Sequence, residues 1–155
     1  MTSHSIERVG PADLEDLLPL VRAYCDFYLV SPSDGDLLAL SRALIEDPEH
    51  EGVQLIARDG DGRALGFATI FWSWSTTDAA RLGVMNDLFV AEAARGQGLA
   101  EALIAACRRE CARRGARRLS WQTAPDNVRA QAVYERVGGV REQWVDYWLD
   151  ASGSD

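Results

Sequence analysis

Lysine is missing from this chain: all sixteen basic residues are Arg. No side-chain amine is present to form a Schiff base, and no Gly-Lys-Ser/Thr phosphate loop can be built. Histidine is scarce too. His4 and His50 stand far apart without partner spacing, which leaves neither a Ser-His-Asp relay nor a metal site to argue for. Three cysteines, Cys25, Cys107 and Cys111, contain no Cys-x-x-Cys pair, and their odd number does not read as a disulfide framework. Cys107 and Cys111 lie one helical turn apart beside Leu99 and Leu103, the spacing of small buried hydrophobes rather than of metal ligands. Positive charge is short: sixteen basic against twenty-four acidic residues give a net charge of -8. That balance argues against nucleic acid or an anionic membrane surface as partner and suits a small cation, although acidity also serves plain solubility. No charged-then-apolar leader opens the chain, and no apolar run reaches the ~18 residues of a membrane span. A soluble, cytoplasmic protein is expected.

What is present reads as one domain over residues 1–150 with a polar tail at 151–155, long enough to bury a core. A strand at Ser5–Val9 is expected first. Pro11-Ala12-Asp13 then carries helix-start chemistry ahead of Leu14, Leu17, Leu18 and Val21 at helical spacing. A second amphipathic helix carries Leu37, Leu38, Leu40, Leu44 and Ile45 and ends near Asp47-Pro48. Val53–Arg58 and Ala64–Trp74 flank the hairpin punctuation Asp59-Gly60-Asp61-Gly62, and a further strand is expected at Leu82–Val90. Leu99, Leu103, Cys107 and Cys111 stripe a helix that ends near Gly115. A strand at Arg117–Thr123, a helix at Val128–Val137 closed by Gly138-Gly139, and a last strand at Trp144–Leu149 complete the order β-α-α-β-β-β-α-β-α-β.

Two motifs carry chemistry. Val84–Val90 is an apolar strand, and five residues later Arg95-Gly96-Gln97-Gly98-Leu99-Ala100 opens a helix. Such a junction gathers backbone N–H groups at one point, which suits a pyrophosphate. It is not a dinucleotide fingerprint, because Glu101 stands where the third glycine belongs. On its own it could equally be an ordinary strand-to-helix turn. The second motif is Asn127 and Tyr134, seven residues apart and therefore on similar faces of one helix.

Joined in this order, Leu88-Phe89-Val90, Arg95–Ala100 and Asn127–Gly138 resemble the GNAT superfamily of acetyl-CoA-dependent N-acetyltransferases. Gly66–Trp74 through Asn86–Val90 looks most like its diamine and thialysine acetyltransferase branch, as does the small residue Gly139. That branch usually has Glu-Asp where this chain has Asn86-Asp87. The resemblance implies an α/β (α+β) fold with a mixed, mostly antiparallel twisted sheet flanked by helices. It implies acetyl-CoA as cofactor and a homodimer whose last strands take part in the contact. It also implies that Leu88, Phe89 and Val90 guide the pantetheine arm like an added strand, and that N–H groups from Arg95, Gly96, Gln97, Gly98, Leu99 and Ala100 hold the pyrophosphate.

Asn127 would orient the pantetheine or simply cap its helix; the two roles are compatible. Arg136 is a candidate for the adenosine phosphate. Tyr134 is the expected acid for the departing thiolate, since a phenol with a pKa of about 10 is protonated at neutral pH; the alternative is a buried aromatic. Asp87 would anchor the acceptor ammonium or take its proton, and Asn86 can only bind. As strand neighbours, those two face opposite ways unless a bulge intervenes. Trp72 and Trp74 share a strand face and form either a cation–π wall or sheet packing; Asp78, in the loop, and Asp26, at the end of the first helix, are further candidate cation contacts.

The expected activity is direct acetyl transfer to a small cationic primary amine, polyamine, diamine or thialysine-like, with no metal. The alternatives are the same chemistry on an aminoglycoside, amino acid or protein N-terminus, or a non-catalytic CoA sensor.

Overall fold

The computed structural model describes residues 3–153, so the last two residues of the expected polar tail lie outside the described part. Strand β1 (His4–Arg8) leads through a 3-10 turn (Pro11–Asp13) into α1 (Leu14–Phe27) and α2 (Asp34–Glu46). Ser33 caps α2 by accepting the Asp36 N–H at 3.1 Å, satisfying one of the donors a helix start leaves free. Strands β2 (Gly52–Asp59), β3 (Ala64–Ser75) and β4 (Ala80–Val90) follow, then α3 (Leu99–Arg114), β5 (Leu119–Ser120) and α4 (Val128–Arg136). The sheet order is β1-β2-β3-β4-β5, antiparallel except for the parallel β4–β5 pair.

The sheet is covered on both faces. Leu17 and Leu20 of α1 pack on Ile56 and Phe67, while Leu103 and Cys107 of α3 pack on Leu55, Ala68, Ile70 and Met85. Adjacent residues of β3 therefore go to opposite cores, which explains why its sequence reads as a nearly continuous apolar run. One charge is buried with α3: Glu110 is 4% exposed and accepts from Arg8 at 2.5 Å and Arg113 at 2.8 Å, so its charge is paired.

The structure corrects two expectations. The strand foreseen at Arg117–Thr123 contracts to Leu119–Ser120, and Trp144–Leu149 forms no strand at all. Backbone pairing needs a neighbour, and β5 meets β4 only at Gly83 and Val84. Val140, Trp144, Val145, Tyr147, Trp148 and Leu149 each remain at least 78% exposed.

The β3–β4 ladder contains the feature that shapes the site. Thr69 pairs with Asp87 but Ile70 pairs with Met85, so Asn86 is the extra residue of a bulge. The bulge lets neighbours that a regular strand would send to opposite faces approach each other.

Candidate active site

Beyond Val84, strand β4 has no partner on its β5 side among the described residues, so Met85–Val90 runs along an open gap. The glycine loop lies at the end of that run. Gly96 and Gly98 hold φ of +76° and +77°, and a Cβ at either would meet nothing within 4 Å. The cradle is open as well as left-handed, which is what glycine permits. Gly98 provides no side-chain cap for α3, and among the described residues the N–H groups of Gly96, Gln97 and Gly98 have no backbone partner. Together with the first turn of a 16-residue helix at Leu99 and Ala100, they form a cluster of donors suited to an anion.

Arg95 departs from the expected pattern. Its backbone N–H already bonds the Glu92 carbonyl at 3.2 Å, and its Nε donates to the Val90 carbonyl at 3.0 Å. Its side chain thus folds back over the end of β4, with the guanidinium 5.9 Å from the Phe89 ring. Arg136 is likewise engaged, donating to Glu101 at 2.6 Å and holding that carboxyl below its ordinary range.

At the bulge, Asn86 Nδ2 donates to Asp87 Oδ1 at 2.9 Å. The hydroxyl of Tyr24, from α1, donates to the Asn86 carbonyl at 3.3 Å. Burial first, then the neighbouring Asp87 carboxylate, raises the Tyr24 phenol far above its usual range. Tyr28 stacks beside Tyr24 with ring centroids 5.0 Å apart. Across the gap, Tyr134 of α4 is half-buried edge-on to Trp121, centroids 5.4 Å apart, and burial followed by the proximity of Tyr28 raises its phenol too. Tyr24 and Tyr28 thus line the same side of the site as Asp87. Sequence patterning did not single them out; the available signal was an i, i+4 tyrosine pair at a helix end beside a Ser/Pro loop.

Asn127 caps α4, its Oδ1 accepting the Ala130 N–H at 3.2 Å, which leaves its amide nitrogen for another partner. Trp72 and Trp74 do not join this cluster. Trp72 is 8% exposed in the α3-side core and donates to the Pro48 carbonyl at 2.7 Å. Trp74 already carries the Arg81 guanidinium 4.4 Å above its ring. Asp78 lies in the β3–β4 turn paired with Arg118 at 3.3 Å. Asp26 is exposed on α1, two residues from Tyr24 and Tyr28 and thus on a different helix face. Cys107 and Cys111 are buried and their thiols pushed up to about 12 and about 11, so neither offers a thiolate nucleophile at neutral pH.

An open strand edge leading to an anion-binding helix start, with a carboxylate and a phenol across the gap, is the arrangement of an acyltransferase. The sequence profile of the acetyltransferase (GNAT) family matches residues 17–139. An uncharacterised N-acetyltransferase of Bacillus subtilis (strain 168), YhfO, is 31% identical over 147 residues, covering 94% of this chain and 97% of that protein. Among solved structures, a probable acetyltransferase superposes with a TM-score of 0.83 at 29% identity, covering 97% of this chain and 99% of the other. The aminoglycoside N-acetyltransferase AAC(6')-Iy, solved with CoA, gives 0.83 at 24% identity over 97% of each chain, a likeness of fold. The chain belongs to the acetyltransferase (GNAT) family. It is an acyltransferase whose acetyl donor is acetyl-CoA. The open glycine cradle and the uncapped helix start fit the pyrophosphate of that donor.

Proposed function

We propose that this chain transfers the acetyl group of acetyl-CoA to a small primary amine by direct attack within a ternary complex. The observation that carries the reading is the unpaired edge of Met85–Val90 running to the open, left-handed glycine cradle at the start of α3. When bound, the cofactor supplies an acetyl thioester at the β4 gap. The free edge of Leu88–Val90 holds its arm, the donors from Gly96 to Ala100 hold its pyrophosphate, and the spare Asn127 amide fixes the pantetheine. Arg136, now on Glu101, would be within the part of the site that faces the cofactor's anionic end.

Asp87, steadied by Asn86, receives the ammonium and orients it. The amine must lose a proton before its lone pair can attack, and Asp87 or water accepts it. An N–C bond forms, the C–S bond breaks, and the Tyr134 hydroxyl gives its proton to the departing sulfur. Cys107 and Cys111, buried with their thiols pushed up, offer no route through a covalent thioester.

A diamine or thialysine-like acceptor follows from the branch resemblance, yet Asn86 contributes a donor and no charge. Mixing the purified chain with acetyl-CoA and a panel of amines should give amine-dependent thiol release and the acetamide. Asp87→Asn should raise the acceptor KM about tenfold or more, leaving acetyl-CoA binding unchanged. Thiol release on no primary amine would overturn the reading.

We infer also that two copies associate through the segment after Gly139. Two of its aromatic side chains and one leucine stand more than 80% exposed, an apolar surface a single copy leaves in water. Sedimentation of the full chain should give a dimer, and Trp144→Ser with Trp148→Ser should give monomers; a monomeric parent chain refutes this.

A further inference from the structure

The acceptor side of the site is bounded by side chains of one kind. Phe27, Tyr28, Leu29 and Val30 follow one another at the end of α1 and are 67%, 57%, 93% and 51% exposed. They are contiguous with the carboxylate. Tyr24 meets the bulge at Asn86, Tyr28 stacks on Tyr24, and Phe27 sits edge-on to Tyr28 with centroids 5.2 Å apart. An aromatic and aliphatic surface thus runs outward from Asp87.

The backbone holds this surface outward at a cost. The N–H groups of Tyr28 and Val30 bond the Cys25 carbonyl and that of Leu29 bonds Asp26, closing α1 with Leu29 at φ +58°. Glycine or asparagine is the usual occupant of such a position, because a side chain there costs about 1 kcal/mol or more. Here an isobutyl group is retained and presented to solvent.

The carboxylate at the bulge is Asp87, and the other acidic candidates are directed elsewhere. Asn86 neutralises nothing, Asp78 is occupied by Arg118, and Asp26 leaves α1 on another face. A linear polyamine would place a second ammonium on this apolar surface, where desolvation is unfavourable without a counter-charge.

We propose that the acceptor is a monoamine with an aryl or branched alkyl tail, its ammonium on Asp87 and its tail along Phe27, Tyr28, Leu29 and Val30. This rests on the reading of Asp87 as the acceptor's carboxylate. The aromatic rings supply apolar area for the tail and a favourable face for the cation entering beside them.

The test is steady-state thiol release at saturating acetyl-CoA with phenethylamine, isopentylamine, putrescine, spermidine and neamine. The two apolar monoamines should exceed putrescine and spermidine in kcat/KM by about tenfold or more. Leu29→Asn, which suits the left-handed backbone, should raise the phenethylamine KM about threefold to tenfold. Its acetyl-CoA KM and melting temperature should not fall. A second variant, Phe27→Gln, should act in the same direction. A preference for putrescine, spermidine or neamine overturns the tail assignment while leaving amine acetylation intact, and so does an unchanged phenethylamine KM in both variants. Failure of every amine instead overturns the underlying acetyl-transfer reading, and with it this one.

Discussion

Tyr134→Phe is expected to lower the turnover number by about a hundredfold or more, the usual contribution of a positioned general acid. Acetyl-CoA affinity should stay within about twofold, because the ring and its edge-on packing against Trp121 are kept and only the hydroxyl is lost. The pH dependence has a definite sign. Burial, and then Tyr28, raise the Tyr134 phenol above its ordinary range, so the neutral acid persists through the region where the amine deprotonates. The wild-type rate should therefore rise with pH as the amine loses its proton, with no fall assignable to Tyr134 below about pH 10. The variant should keep that acid limb at a reduced plateau. Turnover equal to wild type would remove the acid role.

The largest stability effect is expected at a residue far from the chemistry. Gly52 opens β2 at φ +149°, and a Cβ there would lie 2.0 Å from the Ile70 carbonyl oxygen and 3.0 Å from the Phe71 Cα. Both obstructing atoms are backbone of the paired central strand, which a rotamer change cannot move. Gly52→Ala should destabilise by about 3 kcal/mol, combining overpacking with strain. In thermal unfolding this corresponds to roughly 6–12 °C for a chain of this size. A melting temperature within one degree of wild type would show that β2 shifts freely, contrary to its place inside the sheet.

Much of the fold was legible because periodicity and punctuation report on burial directly. Leu99, Leu103, Cys107 and Cys111 are all buried on α3, and Asn127 caps α4 as its position suggested. Trp144–Leu149 misled for the same reason that α3 did not. A helix closes its hydrogen bonds within itself, whereas a β-rich segment stays unpaired until another strand lies beside it. Trp72 and Trp74 show a similar limit. Their shared face was readable, but which layer covers Trp72 and that Arg81 covers Trp74 depend on elements remote in sequence.

Sequence by itself determined the family and the acetyl donor, and it named the candidate residues along β4, the glycine loop and α4. Those are local patterns, with residue types and spacings held within single elements. Tertiary structure alone decided the acceptor side. Pairing β3 with β4 inserts the bulge that turns Asn86 onto Asp87, and packing α1 across the sheet brings Tyr24 from sixty residues upstream onto the Asn86 carbonyl, with Tyr28 beside it. No spacing in the chain encodes that meeting, because it arises from long-range packing of an apolar helix face against a sheet.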